Sequence, residues 1–274
     1  MADALAQAYE AALRHEKAGR IDQAARLYRR CLALDAEDRC GAAMRLASMG
    51  AAQAPDKAPD AYVATLFDQH AERFDDILTG ALGYAVPMQA AQWLADNAPG
   101  PYRRMLDLGC GTGLAGLMLM EMCAHATGVD ISPEMVDKAD ERAAYDALYV
   151  NEAVHFLTEW ARGDDREHAP FDLIVATDVL PYFGALEPLF DGVGANAAAD
   201  ARLVFSAETL PGLDHESAAW AITPHQRFAH GPHYLQAMCA RAGFASIEHL
   251  APITVRSEQG APIAGYLVVA ARGR

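Results

Sequence analysis

The residues best placed to do chemistry lie in one short run, MLDLGCGTGLAG, from Met105 to Gly116. Glycines at 109, 111, 113 and 116 directly after an apolar stretch describe a turn whose backbone comes close to a ligand. Two registers fit. Read from Gly111 the run is G-x-G-x-x-G (Gly111, Gly113, Gly116), the fingerprint of a loop that holds a dinucleotide pyrophosphate. Read from Asp107 it is D-x-G-x-G-x-G (Asp107, Gly109, Gly111, Gly113), the pattern of a loop that cradles S-adenosylmethionine. A second acid, Asp130, lies 19 residues beyond Gly111, where a carboxylate can take both hydroxyls of a ribose in either scheme. The pattern alone does not separate the two nucleotides.

Composition narrows the field. The 274 residues fit one large domain, or one medium domain with a small appendage, and 52% hydrophobic content supports a sizeable core. The longest apolar runs, such as 173–176 and 265–271, are strand-sized, so no membrane span is expected. The amphipathic N-terminal stretch has no apolar run of signal-peptide type, and a cytoplasmic location is the expectation. A net charge of −15 repels phosphate backbones, which argues against nucleic-acid substrates. The 5 cysteines are scattered and never spaced C-x-x-C, which points to reduced thiols and no structural zinc. Four histidines (His215, His225, His230, His233) gather in LPGLDHESAAWAITPHQRFAHGPHY, but no H-x-x-x-H or H-E-x-x-H pair accompanies them, so no metal is expected.

The elements that must position these residues follow from periodicity. Leu5, Ala8, Tyr9, Ala12 and Leu13, then Ala24, Leu27, Tyr28, Cys31 and Leu32, recur at helical spacing on either side of a break at Gly19. AGRIDQAARLYRRCLALDAED resembles the second half of a tetratricopeptide repeat, with His15 and Ala36 departing from the motif, and Cys40–Met49 extends it by half a unit. A plain helical hairpin is the simpler alternative. GAAQAPDKAPDA reads as a linker. Beyond Tyr62, helices at 62–74, 85–97, 115–123 and 234–242 alternate with strands RRMLDLG, ATGVDI, FDLIVAT and ARLVFSAE. Such alternation gives a parallel, doubly wound sheet. ASIEHLAPITVRS and AGYLVVAAR are joined by the short turn EQGAP and so must pair antiparallel.

Ending the first strand at Leu108 spares it an internal glycine and leaves Gly109, Gly111 and Gly113 as the turn, with Gly116 packing on the helix. Asp107 then stands at the carboxyl end of the strand, where ligands of open α/β sheets bind. A carboxylate there would face a pyrophosphate to no purpose, whereas a cofactor bearing an ammonium and a sulfonium can use it. LDLGCGTG, Asp130 in GVDIS, FDLIVATDVLPYF and the terminal hairpin together resemble the class I S-adenosylmethionine-dependent methyltransferases. With the N-terminal helices, the whole chain resembles predicted bacterial methyltransferases carrying a tetratricopeptide repeat.

That resemblance implies an α/β, Rossmann-like, doubly wound seven-stranded sheet with an antiparallel last strand, preceded by a small α-helical segment. The expected divisions are 1–50 (helical segment), 51–61 (linker) and 62–274 (catalytic domain). It implies S-adenosylmethionine as cofactor, with S-adenosylhomocysteine as product. Cofactor contacts would come from Asp107, Gly109, Gly111, Gly113 and Leu114, from Asp130, Ile131, Ser132 and Met135, and from Asn151 or Glu152 at the adenine. Thr177 and Asp178 would stand at the methyl-transfer mouth. Phe74 in FDQHAERFD would lie over the cofactor, as in quinone-biosynthesis methyltransferases.

Methyl transfer is an in-line displacement, so alignment supplies much of the rate, and a base is needed only for an acceptor protonated at neutral pH. Asp178, Tyr182, Glu208 and the histidines, His215 and His230 foremost, are the candidates, with Trp220 and Phe228 in the insert suggesting a lid. Each has a plainer role: Asp178 as a cap before Pro181, Tyr182 and Phe183 as core, each histidine as packing. Arg256 would face solvent or a neighbouring carboxylate, or grip an acidic substrate. A small-molecule O, N or S acceptor is the expected substrate. The alternatives are a protein substrate recruited by the repeat, an NAD(P)-dependent oxidoreductase, and a non-catalytic adaptor.

Overall fold

The computed structural model describes residues 2–74, 84–163, 168–213, 219–258 and 260–273. Its N-terminal part is α1 (Ala2–Lys17), α2 (Ile21–Leu34) and α3 (Ala42–Ser48). Small residues let these helices approach: Ala8, Ala12, Ala24, Ala25 and Ala42 are buried around a fully buried Tyr28. The carboxylate of Asp38 accepts from the backbone of Ala42 (2.7 Å) and Ala43 (2.9 Å), which satisfies the first turn of α3. Met44 on α3 belongs to the main core beside Val63, so these helices share the core of the domain that follows.

The segment expected as a linker is tied down. The carbonyl of Asp56 accepts from Gly184 (2.8 Å) and Ala185 (2.9 Å), and the N–H of Ala58 donates to Tyr182 (2.8 Å). α4 (Asp60–Asp68) follows, and the helix expected over 62–74 is divided: a 3₁₀ turn at Ala71–Arg73 succeeds it. The last residue of α4, Asp68, is drawn away by the Ser132 hydroxyl, which donates to it at 2.5 Å. α5 (Val86–Asn97) then leads into the sheet.

Among the described residues seven strands form one sheet, in the order β3-β2-β1-β4-β5-β9-β8. These are β1 (Met105–Leu108), β2 (Ala126–Asp130), β3 (Ala147–Val150), β4 (Phe171–Ala176), β5 (Ala197–Glu208), β8 (Ser246–Glu258) and β9 (Ala261–Ala271). β1 to β5 pair parallel, and β9 runs antiparallel between β5 and β8. The turn between β8 and β9 is too short for a crossover, which fixes that arrangement. Strand side chains alternate between two cores. Leu106, Leu108, Ile174 and Phe205 face α8 (Ala153–Trp160) and α9 (Glu187–Asn196), while Met105, Leu173, Val175 and Val204 face α5 and α6 (Leu114–Leu119). α7 (Pro133–Glu141) and α10 (Pro232–Arg241) complete the layers. α6 is shorter than the helix expected over 115–123, its end tightening into a 3₁₀ turn at Met120–Met122. The histidine-bearing insert holds a hairpin, β6 (Trp220–Ile222) with β7 (Phe228–His230), whose three-residue strands are too short to leave a period in the sequence.

Met44 is fully buried. Met44→Ala is expected to cost about 3 kcal/mol and to lower the midpoint of a single thermal transition. An unchanged midpoint would mean that the N-terminal helices are merely tethered.

Candidate active site

A cavity opens at the carboxyl ends of β1 to β4, with a mainly apolar wall. Its floor is the glycine turn. Gly109, Gly111 and Gly113 have φ of +65°, +53° and +88°, which side-chain-bearing residues rarely adopt. The N–H groups of Gly109 and Cys110 both donate to the carbonyl of Val129 (2.8 and 3.0 Å), so the turn folds back on the end of β2. Gly116 lies beneath Tyr145, where a Cβ would sit 2.5 Å from the tyrosine hydroxyl. Gly116 therefore belongs to packing, and the turn ends at Gly113.

Asp130 ends β2 on the cavity wall and accepts from the backbone of Gly111 and Ser132, both at 2.9 Å. Burial raises its pKa to about 6 against the pull of those donors. Asp107 stands behind the turn instead of on the wall. One oxygen accepts from Tyr145 Oη (2.7 Å), whose oxygen in turn accepts from Gly116 N–H (3.2 Å). The other, Oδ1, is buried without a hydrogen-bond partner among the described residues. Burial raises Asp107 to about 7.

Leu114, Ile131, Asn151 and Glu152 share the wall with Asp130. Glu152 caps α8 through the N–H of His155 (2.8 Å) and faces Lys57, whose Nζ lies 3.2 Å from it and 2.8 Å from Asp60. The roof comes from α4 and the turn after it: Val63, Phe67 and Phe74, with Phe67 edge-on to both Phe74 and Tyr182. Ser132 and Met135 are off the wall. Ser132 Oγ caps α7 by accepting from Met135 N–H (3.1 Å), so both support the loop from below.

At the opposite end stand Thr177, Asp178, Tyr182 and Phe183, together with Tyr84. Asp178 has φ +62°, a strained conformation for a residue with a side chain, and its N–H donates to Ser206 Oγ (2.9 Å). Arg227, from the turn between β6 and β7, is buried behind it and donates to three groups. These are Asp178 Oδ1 (2.5 Å), Glu208 Oε1 (2.6 Å) and Tyr182 Oη (2.7 Å). Arg256 adds a second guanidinium against Glu208 (3.4 Å) and Glu258 (2.9 Å), which settles its place among carboxylates. Burial raises Asp178 above the usual carboxylate range, with Arg227 opposing the shift. Burial raises Tyr182 too, so it keeps its proton at neutral pH.

Among the described residues, no histidine of the insert lines the cavity. His230 is fully buried, bonds the carbonyl of Phe183 through Nε2 (2.8 Å), and is held neutral by burial at about 4, so it supports the wall instead of facing a ligand. His225 pairs with Glu258 (2.8 Å), His233 is exposed, and His215 lies outside the described residues. Lys57, Phe67, Tyr84 and Arg227 escaped the reading by motif. Only a lone arginine in an apolar, histidine-rich turn hinted at the last. Among the described residues no cluster of His, Cys, Asp and Glu is arranged to hold a metal ion, and no helix is long and apolar enough to cross a membrane.

Residues 106–203, from β1 into β5, match the family model for a methyltransferase domain. That match covers the central part of the chain. The 23S rRNA (uracil(1939)-C(5))-methyltransferase of Shewanella sp. (strain ANA-3) is 47% identical over 60 residues, 22% of this chain and 13% of that protein. Nodulation protein S of Rhizobium tropici is 30% identical over 108 residues, 38% and 42% of the two chains. Magnesium-protoporphyrin O-methyltransferase of Rhodobacter capsulatus is 36% identical over 83 residues, 30% and 34%. The chain thus spans 13% to 42% of the length of these relatives. Among solved structures, the 1,6-didemethyltoxoflavin-N1-methyltransferase of Burkholderia thailandensis superposes with a TM-score of 0.57 at 18% identity, over 81% of this chain and 94% of that one. The N-methyltransferase NodS of Bradyrhizobium japonicum WM9 gives 0.55 at 14%, over 77% and 99%. This chain and these neighbours share a fold.

Asp107 yields a pH test. A carboxyl raised on folding from 3.8 to about 7 binds more protons folded than unfolded. Its stabilising contribution is therefore complete below pH ~4 and is lost as pH rises to about 7. Asp107→Asn is expected to stabilise the free chain at pH 8 by about 1–3 kcal/mol, a few degrees in Tm, with the gain vanishing near pH 4. Thermal unfolding across that range checks it.

Proposed function

We propose that the chain is an S-adenosylmethionine-dependent methyltransferase acting on a small-molecule O, N or S acceptor by in-line transfer. The observation that carries this is the glycine turn held onto Asp130 at the floor of a mainly apolar cavity. Asp130 would take the ribose hydroxyls, Ile131 and Leu114 would flank the adenine, and Asn151 or Glu152 would meet its amine. Phe74 would cover the cofactor. Gly109 and Thr177 would border its methionine end, with the unpaired oxygen of Asp107 close behind the turn drawing the ammonium through the low-dielectric floor. When bound, the cofactor supplies the activated methyl, and the chain aligns the acceptor and excludes water.

Charge favours this cofactor over a dinucleotide. Asp60, Asp130, Glu152 and Asp178 line the wall against one ammonium, Lys57, and such a wall suits a sulfonium cation better than a diphosphate. The strap at 56–58 and the burial of Met44 favour N-terminal helices that brace the strap and α4 over a recruiting arm or an adaptor.

Calorimetry with S-adenosylhomocysteine and NADH tests the proposal. One-to-one binding of the former and none of the latter is expected, and Asp130→Ala should weaken it by about 3 kcal/mol, over a hundredfold. Binding of NADH without S-adenosylhomocysteine would sink the methyltransferase reading and leave the oxidoreductase.

A further inference from the structure

We infer that Arg227 is a positioning residue that makes Asp178 and Tyr182 a matched acceptor–donor pair, selecting planar acceptors whose reactive O–H or N–H lies next to a second oxygen. The inference rests on the cavity being the methyl-transfer site proposed above.

A guanidinium donates in a fixed planar fork and accepts nothing. Arg227 Nη2 therefore occupies one oxygen of Asp178, and Nη1 occupies a lone pair of the Tyr182 hydroxyl. Asp178 lines the cavity with its side chain 17% exposed, which leaves Oδ2 to accept from a ligand. Tyr182 has spent its oxygen as an acceptor, so its own proton must point elsewhere, and no acceptor for it is found among the described residues. Tyr182 also lines the cavity. Asp178 and Tyr182 thus offer one hydrogen-bond acceptor and one donor, a single guanidinium apart. Glu208 fixes the third edge of that guanidinium, and Arg256 balances Glu208, so the fork has no freedom to turn.

The apolar surroundings, Phe67, Phe183 and Val179, suit a flat ring. A ring bearing neighbouring oxygens meets both groups at once: one O–H donates to Asp178, and the adjacent oxygen accepts from Tyr182. As the first oxygen bonds to the methyl carbon and the carbon–sulfur bond breaks, its proton passes to Asp178 and S-adenosylhomocysteine leaves. A ring with a single hydroxyl, or with hydroxyls further apart, leaves one buried group unpaired, and sites of this kind discriminate strongly against such analogues.

The test uses the full chain saturated with S-adenosylhomocysteine, titrated with catechol, phenol and resorcinol. Catechol is expected to bind at least about tenfold tighter than the other two, the loss of one buried hydrogen bond. Tyr182→Phe should bring catechol down to the affinity of phenol. Arg227→Lys keeps a charge but not the fork, and should abolish the preference as well. It should also move the pH midpoint of catechol binding upward by about one unit, because Asp178 loses a hydrogen bond to its ionised form. The charged and titratable groups facing Asp178 are Arg227, Glu208, Arg256, Tyr182 and Tyr84, of which only the first changes. A role in packing alone would lower the affinity without moving that midpoint. Equal affinities for the three phenols in the wild type, no catechol binding at millimolar concentration, or a preference that survives Tyr182→Phe would each overturn the inference. If Arg227→Lys loses S-adenosylhomocysteine binding through misfolding, Tyr182→Phe decides alone. If the wild type itself does not bind S-adenosylhomocysteine, the function proposed above fails, and the same titrations on the free chain still decide the pairing.

Discussion

The carboxylate of Asp130 is the point on which the cofactor side of the structure depends. It lies at the end of β2 and accepts one backbone N–H from the glycine turn after β1 and one from the loop that opens α7. Two loops from neighbouring strands are thereby fixed to one side chain. A charge buried this way costs free energy, which the backbone donors offset only in part, as its raised pKa indicates. A ligand that adds hydrogen bonds to the same oxygens would recover some of that cost. The left-handed glycines are a consequence: only they let the turn curl back onto β2 closely enough to reach it.

The other end of the cavity solves a similar problem with charges of both signs. Asp178, Glu208, Arg227 and Arg256 form a buried set that is neutral as a whole, and Glu258 and His225 carry it toward the surface. Removing one partner from such a set strands the others, so its members depend on each other far more than on solvent. The strain at Asp178 is maintained by this network and by its N–H bond to Ser206.

The two ends are closed by elements distant in sequence. The 56–58 strap pairs with 182–185, Lys57 spans to Glu152, and α4 lays Phe67 across Tyr182 and Phe74. The N-terminal helices support that roof through Met44, which is why a stretch rich in alanine and proline, linker-like in composition, is a structural part of the site.

The sequence was most legible where chemistry demands a local pattern. The glycine spacing placed the turn, Asp130 followed at a set distance, the alternation of strands with helices marked the parallel sheet, and the brief EQGAP turn required antiparallel pairing. Those features are set by backbone sterics and chain connectivity, which neighbouring residues alone decide. Partners across long separations were not legible. Arg227 meets Asp178 and Tyr182 from 49 and 45 residues away, and Lys57 reaches Glu152 from another domain-length of chain. The same holds for His230, which reads as a titratable candidate in the sequence and is a neutral buried support in the fold. That Asp107 stands behind the turn, held by Tyr145, is likewise a matter of the fold. The sequence determined where the glycine turn lies, because a tight turn is a property of its own residues. Only the tertiary structure decided which side chains face the cavity, because burial and charge pairing depend on what the rest of the chain brings alongside.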